Sequence, residues 1–181
     1  MSFPQDPEVS GGRAAACCFT GHRDIPKVEY RKISENVCRL VQTLYQIGVR
    51  DFYAGGALGF DMIASVTVLN LKAQLPDIRL ILALPCRNHT ARWKKSEKEL
   101  FERVLARADE AVYVSEKYFR ACMQMRNRYM VDRSRICVCY YEGKSGGTRN
   151  TVAYAAKQGL SIYNLYIPQQ ETLPEDGDFR E

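Results

Sequence analysis

Six short apolar runs, at residues 14–20, 51–54, 78–84, 111–114, 136–140 and 162–165, alternate along this chain with longer amphipathic stretches. The runs are almost continuously apolar, as strands buried on both faces must be. Between the first two, residues 30–47 place Ile33, Val37, Leu40, Val41, Leu44 and Ile47 at three- and four-residue steps. Gly48 then stands where a helix takes its left-handed C-terminal residue. Weaker helical patterns run through 61–72, 96–108, 123–134 and 148–158. Strand and helix alternating in this way predict an α/β fold: one domain, a mainly parallel sheet, right-handed crossovers and helices on both faces. A chain of 181 residues can bury about 70 per cent of its unfolded surface and needs no staple. Residues 1–13 and 168–181 carry no periodicity and are expected to be flexible ends, the second one acidic.

Composition narrows the setting. The seven cysteines, Cys17, Cys18, Cys38, Cys86, Cys122, Cys137 and Cys139, include no CxxC pair, and only His22 and His89 could complete a zinc site. Reduced core thiols are expected, with neither metal nor cofactor. No hydrophobic signal core opens the chain, and no apolar stretch approaches the roughly 20 residues that span a bilayer. The expectation is a cytoplasmic protein with no membrane partner. The net charge of +5 understates the basic surplus of the body: residues 169–181 hold five acids and one arginine, leaving +9 for the rest. Such a surplus favours an anionic ligand without separating nucleotide from polynucleotide.

Three glycine-bearing loops follow apolar runs: Thr20-Gly21-His22-Arg23, then Gly55-Gly56-Ala57-Leu58-Gly59-Phe60-Asp61, then Gly143-Lys144-Ser145-Gly146-Gly147-Thr148. A strand that ends in glycine and restarts as a helix aims free N–H groups and a positive dipole end at one place, which suits a phosphate. On a parallel sheet all three loops open on its carboxyl edge, where such sheets bind ligands. In the first loop, Thr20 offers a hydroxyl, Arg23 a bidentate fork and His22 a ring that can stack or donate; an ordinary strand exit with solvated basic residues fits the spacing equally. In the second, Gly55, Gly56 and Gly59 imply close backbone approach, either to a ligand or between helix and sheet. Asp61 in the following turn either caps the helix or accepts from ribose hydroxyls or a base edge. The G-G-x-x-G spacing is not the dinucleotide fingerprint, so an NAD-dependent dehydrogenase is disfavoured. In the third, Lys144-Ser145 is similar to the end of a Walker A motif, but the glycine that motif needs upstream is absent. Trp93, the one tryptophan, either stacks on a base or plugs its loop onto the body. Arg126 and Asn127 lie on a half-buried helix from which they could face the pocket.

Taken in order, these residues resemble the YpsA-like branch of the SLOG superfamily, the Rossmann-like proteins that group DprA-type and lonely-guy-type domains. The signals are Thr20–Arg23, the G-x-x-G-x-D turn at Gly56–Asp61, Pro85 with the later Trp93, Arg126-Asn127 followed by Met130-Val131-Asp132, and Gly146-Gly147-Thr148 followed by Thr151 and Tyr154-Ala155. The resemblance implies a Rossmann-like domain over 14–167 with a pocket for a nucleotide or nucleotide-derived small molecule, acting as a sensor, and pairing into a homodimer is compatible with it. Lonely-guy-type enzymes hydrolyse the N-glycosidic bond of nucleoside monophosphates and carry P-G-G-x-G-T-x-E-E. Aligning Gly147-Thr148 with that G-T puts Asn150 and Thr151 at the two glutamate positions, and neither can act as a carboxylate. Hydrolysis is therefore the alternative reading, with Asp61, or less readily Glu142, as the replacement carboxylate. DprA-type relatives suggest a third reading, single-stranded nucleic-acid binding, which needs aromatic platforms; Tyr113, Tyr140 and Tyr163 fall in expected strands and are assigned to the core.

Overall fold

The computed structural model describes residues 13–168. Six strands, β1 (Ala16–Gly21), β2 (Asp51–Ala54), β3 (Arg79–Leu84), β4 (Glu110–Tyr113), β5 (Ile136–Tyr140) and β6 (Ser161–Asn164), form one sheet ordered β4-β3-β2-β1-β5-β6. Every neighbouring pair is parallel. Between them lie α1 (Tyr30–Gln46), α2 (Phe60–Leu71), α3 (Lys95–Arg107), α4 (Cys122–Asp132) and α5 (Gly147–Lys157). The α/β, Rossmann-like reading holds, and each expected element is found within two residues of its expected bounds.

Strand periodicity divides the core. Cys17, Phe19, Phe52, Leu80, Leu82 and Val138 point to the face covered by α1, α2 and α3. Ala16, Cys18, Tyr53, Ile81, Cys137 and Cys139 point to the face covered by α4 and α5. The helices change face where the chain crosses from the β1–β4 half of the sheet to β5, so the reversal of strand order falls between β1 and β5. Loops leaving those two strands diverge to opposite faces and open a crevice at their carboxyl ends.

Three details refine the sequence reading. The N–H groups of Gly48 and Val49 return to the carbonyls of Tyr45 and Leu44, and Gly48 has φ +90, the expected end of α1. Arg13 does not hang loose: it opens a short 3₁₀ turn, and its guanidinium donates to the carbonyls of Ser134 (2.7 Å) and Gln158 (2.9 Å). The rest of the flexible ends expected at 1–13 and 168–181 lies, Pro168 apart, outside the described residues. Tyr163 is 42% exposed because β6 is an edge strand, whereas Tyr140 is buried as expected. All seven cysteines are unpaired, and six of them are buried. Among the described residues no helix is long and apolar enough to cross a membrane, and no cluster of His, Cys, Asp or Glu is placed to hold a metal.

Candidate ligand site at the carboxyl edge

The first two loops are locked together before any ligand is considered. Gly59, the residue before α2, adopts φ +75 and ψ −127, a conformation essentially reserved for glycine. A β-carbon there would lie 2.3 Å from the carbonyl oxygens of both His22 and Arg23. That approach lets Phe60 N–H donate to His22 O at 3.1 Å. His22 is held from the other side as well: its own N–H donates to Tyr140 O, and its Nε2 accepts from Glu142 N–H at 3.1 Å, which places the ring proton on Nδ1. Glu142 in turn pairs with Lys144 at 2.9 Å. His22 therefore joins the first loop to the third.

A second set of contacts forms the floor. Arg126, on the inner side of α4, is buried, and its Nη1 donates to Gly55 O. Asp61, also buried, accepts from the N–H groups of Gly55 (3.0 Å) and Ala57 (3.5 Å) on Oδ2. One residue, Gly55, is thus gripped at its N–H by a carboxylate and at its carbonyl by a guanidinium. Only glycine fits there, since a β-carbon on Gly55 would lie 2.0 Å from Arg126 and 2.7 Å from Asp61. From Arg126 the network continues: its Nε donates to Asn127 Oδ1 (2.7 Å), Asn127 Nδ2 donates to Thr151 Oγ1 (2.7 Å), and Thr151 donates to Gly147 O (2.9 Å). Four hydrogen bonds in series run from the second loop to the first turn of α5. Burial raises the Asp61 carboxyl above its ordinary range, opposed by the charge of Arg126 and by the two N–H groups. Arg126 is lowered by its own burial, opposed by Asp61.

Above this floor lies a cavity of about 260 Å³, lined by Thr20, Gly21, His22, Arg23, Ala57, Asp61, Met123, Arg126, Asn127, Met130, Gly147 and Thr148. Residues expected from all three loops meet there. Gly147 and Thr148 begin α5, whose first N–H groups have no intrahelical acceptor. Arg23 is exposed and makes no hydrogen bond or ion pair among the described residues. The remaining expected residues lie elsewhere. Gly55 and Gly56 border a narrow cleft of about 30 Å³ beside Arg23, and Gly59 lines a separate groove. Gly146, with φ +142, precedes α5 without lining the cavity. Trp93 packs edge-on against His89 (5.6 Å) and Phe101 (5.8 Å), which is the plugging arrangement. Met123 and Met130 were not expected at the site; their helical spacing reads as core, and only the placement of α4 over the crevice reveals them. His89 was not expected to matter either. Its Nδ1 bonds Cys86 O at 2.9 Å while Nε2 is buried with no hydrogen bond among the described residues, and burial holds the imidazole below its ordinary value.

Known proteins bear on this arrangement. DNA processing protein A from Streptococcus pneumoniae superimposes with a TM-score of 0.61 over 87% of this chain at 15% identity, and this chain spans about half (51%) of that protein. The Helicobacter pylori protein of the same name gives a TM-score of 0.57 over 88% of this chain and 68% of its own, at 17% identity. At such identities the likeness is one of fold. Nearer in sequence is the uncharacterised SPbeta prophage-derived protein YoqJ of Bacillus subtilis (strain 168), 37% identical over 129 residues, which are 64% of this chain and 75% of that one. A UPF0398 protein of Bacillus cereus (strain B4264) is 23% identical over 145 residues, 79% of this chain and 78% of its own. The model of the YpsA family, described as the YspA SLOG family, matches residues 9–169. Every strand and helix described above falls inside that match, and the chain belongs to the YpsA (YspA SLOG) family.

Proposed function

We propose that this chain binds a nucleotide or nucleotide-derived small molecule in the cavity over the β1–β5 crevice, and senses it without converting it. One observation carries the reading: the guanidinium of Arg23, unpartnered among the described residues, and the first turn of α5 face the same cavity, whose one carboxylate among the described residues, Asp61, is already engaged by two N–H groups. Phosphate would take Arg23, the α5 N-terminus and the Thr20 hydroxyl. Asn127 and the open edge of Asp61 would face the sugar. Membership of a family whose resemblance implies nucleotide ligands supports this assignment.

Isothermal titration with a panel of nucleoside monophosphates, followed by chromatography of each mixture, tests it. Charge-assisted hydrogen bonds contribute about 1.5–3 kcal/mol each, so Arg23→Ala raises Kd about tenfold or more. Unchanged affinity in that variant would remove the first loop from the site. Intact ligand after incubation supports a sensor, whereas free base, lost with Asp61→Asn, would establish the hydrolase. The polynucleotide reading has its own support. The Helicobacter pylori relative is described by its single-stranded DNA binding mode, and Tyr118 and Phe119, exposed at 61% and 41%, lead into the helix that lines the cavity. It requires oligonucleotide binding that weakens steeply with salt.

A further inference from the structure

The cavity over the crevice has a larger neighbour. Arg23 also forms part of the wall of a groove of about 1200 Å³, which runs past Leu58 and Gly59 onto the face covered by α1, α2 and α3. Its origin is the helix layer itself. α2 is apolar nearly all round, and α1 and α3 each pack against it. Between them the outer side of α2 is left as a floor, with Ile63 and Val66 half-buried. Lys27 and Lys94 also line the groove and, with Arg23, outnumber its two carboxylates, Asp24 and Glu97. An apolar floor with cationic groups beside it suits a flat ring system attached to an anion.

Size points the same way. Pockets for small ligands run from about 300 to 1,000 Å³, and the 260 Å³ cavity falls below that range. Arg23 stands where the two spaces adjoin, exposed and without a hydrogen-bond partner among the described residues, and its fork can bind two phosphate oxygens at once. We infer that the ligand is a two-part molecule, a nucleoside diphosphate carrying a second ring system: the nucleoside occupies the crevice cavity, Arg23 grips the bridging phosphates, and the second ring lies in the groove on Ile63 and Val66. This rests on the nucleotide reading of the crevice and adds the chemical class of its ligand.

The test compares ADP with diadenosine diphosphate by isothermal titration, so that both probes carry two phosphates and only one carries the second ring. The dinucleotide should bind about tenfold tighter, equivalent to about 1.4 kcal/mol. Val66→Trp, which fills the groove, should bring its affinity to within about twofold of ADP while leaving ADP binding unchanged, with thermal melting to verify the fold. Lys27→Glu, a surface change, should weaken the dinucleotide about threefold and leave ADP unaffected. If ADP binds and the dinucleotide gains nothing, or its gain survives both substitutions, the second subsite is refuted and the crevice reading stands. If neither probe binds, both readings fall.

Discussion

Replacing Arg126 by Met removes the cation from the buried floor while retaining an apolar side chain of similar length. Two groups then lose support: the Gly55 carbonyl loses its donor, and the Asp61 carboxylate stays buried without the charge that opposes its desolvation. Breaking one member of a buried charge pair costs about 3–5 kcal/mol. Because the two groups meet through the backbone of Gly55 rather than directly, the lower end applies, about 3 kcal/mol. In a chain of this size that lowers Tm by about 6–12 °C.

The pH dependence separates charge from packing. Burial raises the Asp61 carboxyl in the folded state, so the native protein holds that proton more tightly than the unfolded chain. Stability therefore falls as pH rises from the ordinary carboxylate range, about 4, through the raised native value. Losing Arg126 pushes the native value further up and widens this window. Urea denaturation followed by circular dichroism should show the variant's deficit largest above the raised native range of the Asp61 carboxyl and shrinking as pH falls and the group takes up its proton. Asp61→Asn retains an acceptor for the Gly55 and Ala57 N–H groups without the charge, so the double variant should recover about 1–3 kcal/mol relative to additivity at pH 7. A deficit independent of pH, with the two substitutions additive, would refute a charge-balanced floor and reduce Arg126 to packing.

Two further perturbations probe the loops. Gly59→Ala should cost about 3 kcal/mol or more in urea melts and weaken nucleotide binding, because the added carbon collides with two carbonyls that position the first loop. Gly48→Ala, at φ +90 but with open space around it, should cost only about 1–2 kcal/mol and leave binding intact; equal costs would contradict the assignment. His89 is held below its ordinary value by burial, so the unfolded state binds its proton more readily and stability rises with pH up to the ordinary histidine range, about 6.5. His89→Phe, packed against Trp93 and Phe101, should flatten that slope, and an unchanged profile would place the titration elsewhere.

The fold was legible because its strands are buried on both faces and so appear as unbroken apolar runs, each separated by enough residues for a crossover helix. The exceptions have local causes. Tyr163 resembles a core residue because an edge strand has the same composition as an inner one, and α2 gave a weak helical signal because both α1 and α3 cover it, leaving little polar face. At the site, the three loops were legible as a set but not in their individual roles. Glycine spacing reports that something comes close to the backbone without saying what: at Gly55 it is Arg126, and at Gly59 the carbonyls of the first loop. Arg126 bonds a carbonyl 71 residues away, a pairing that periodicity cannot encode.

This division of labour bears on whether the proposed pocket could do chemistry. Glycosidic cleavage needs a carboxylate free to activate water or to face developing charge at the sugar. Asp61 has Oδ2 committed to two N–H groups and shares the floor with a buried guanidinium, so releasing it would unseat the second loop. The Glu142 carboxylate is engaged by Lys144 and does not line the cavity. Asn150 is exposed, and Thr151 is buried between Asn127 and Gly147, so the two glutamate positions of the lonely-guy pattern contribute neither a charge nor a base. What the same contacts do provide is a mechanical connection. A ligand drawing on Arg23 and the α5 N-terminus would load the first loop beside His22, whose carbonyl accepts from Phe60, and the helix end to which the Arg126–Asn127–Thr151 chain is bonded; under the sensing proposal those contacts are the route by which occupancy is communicated to the helices.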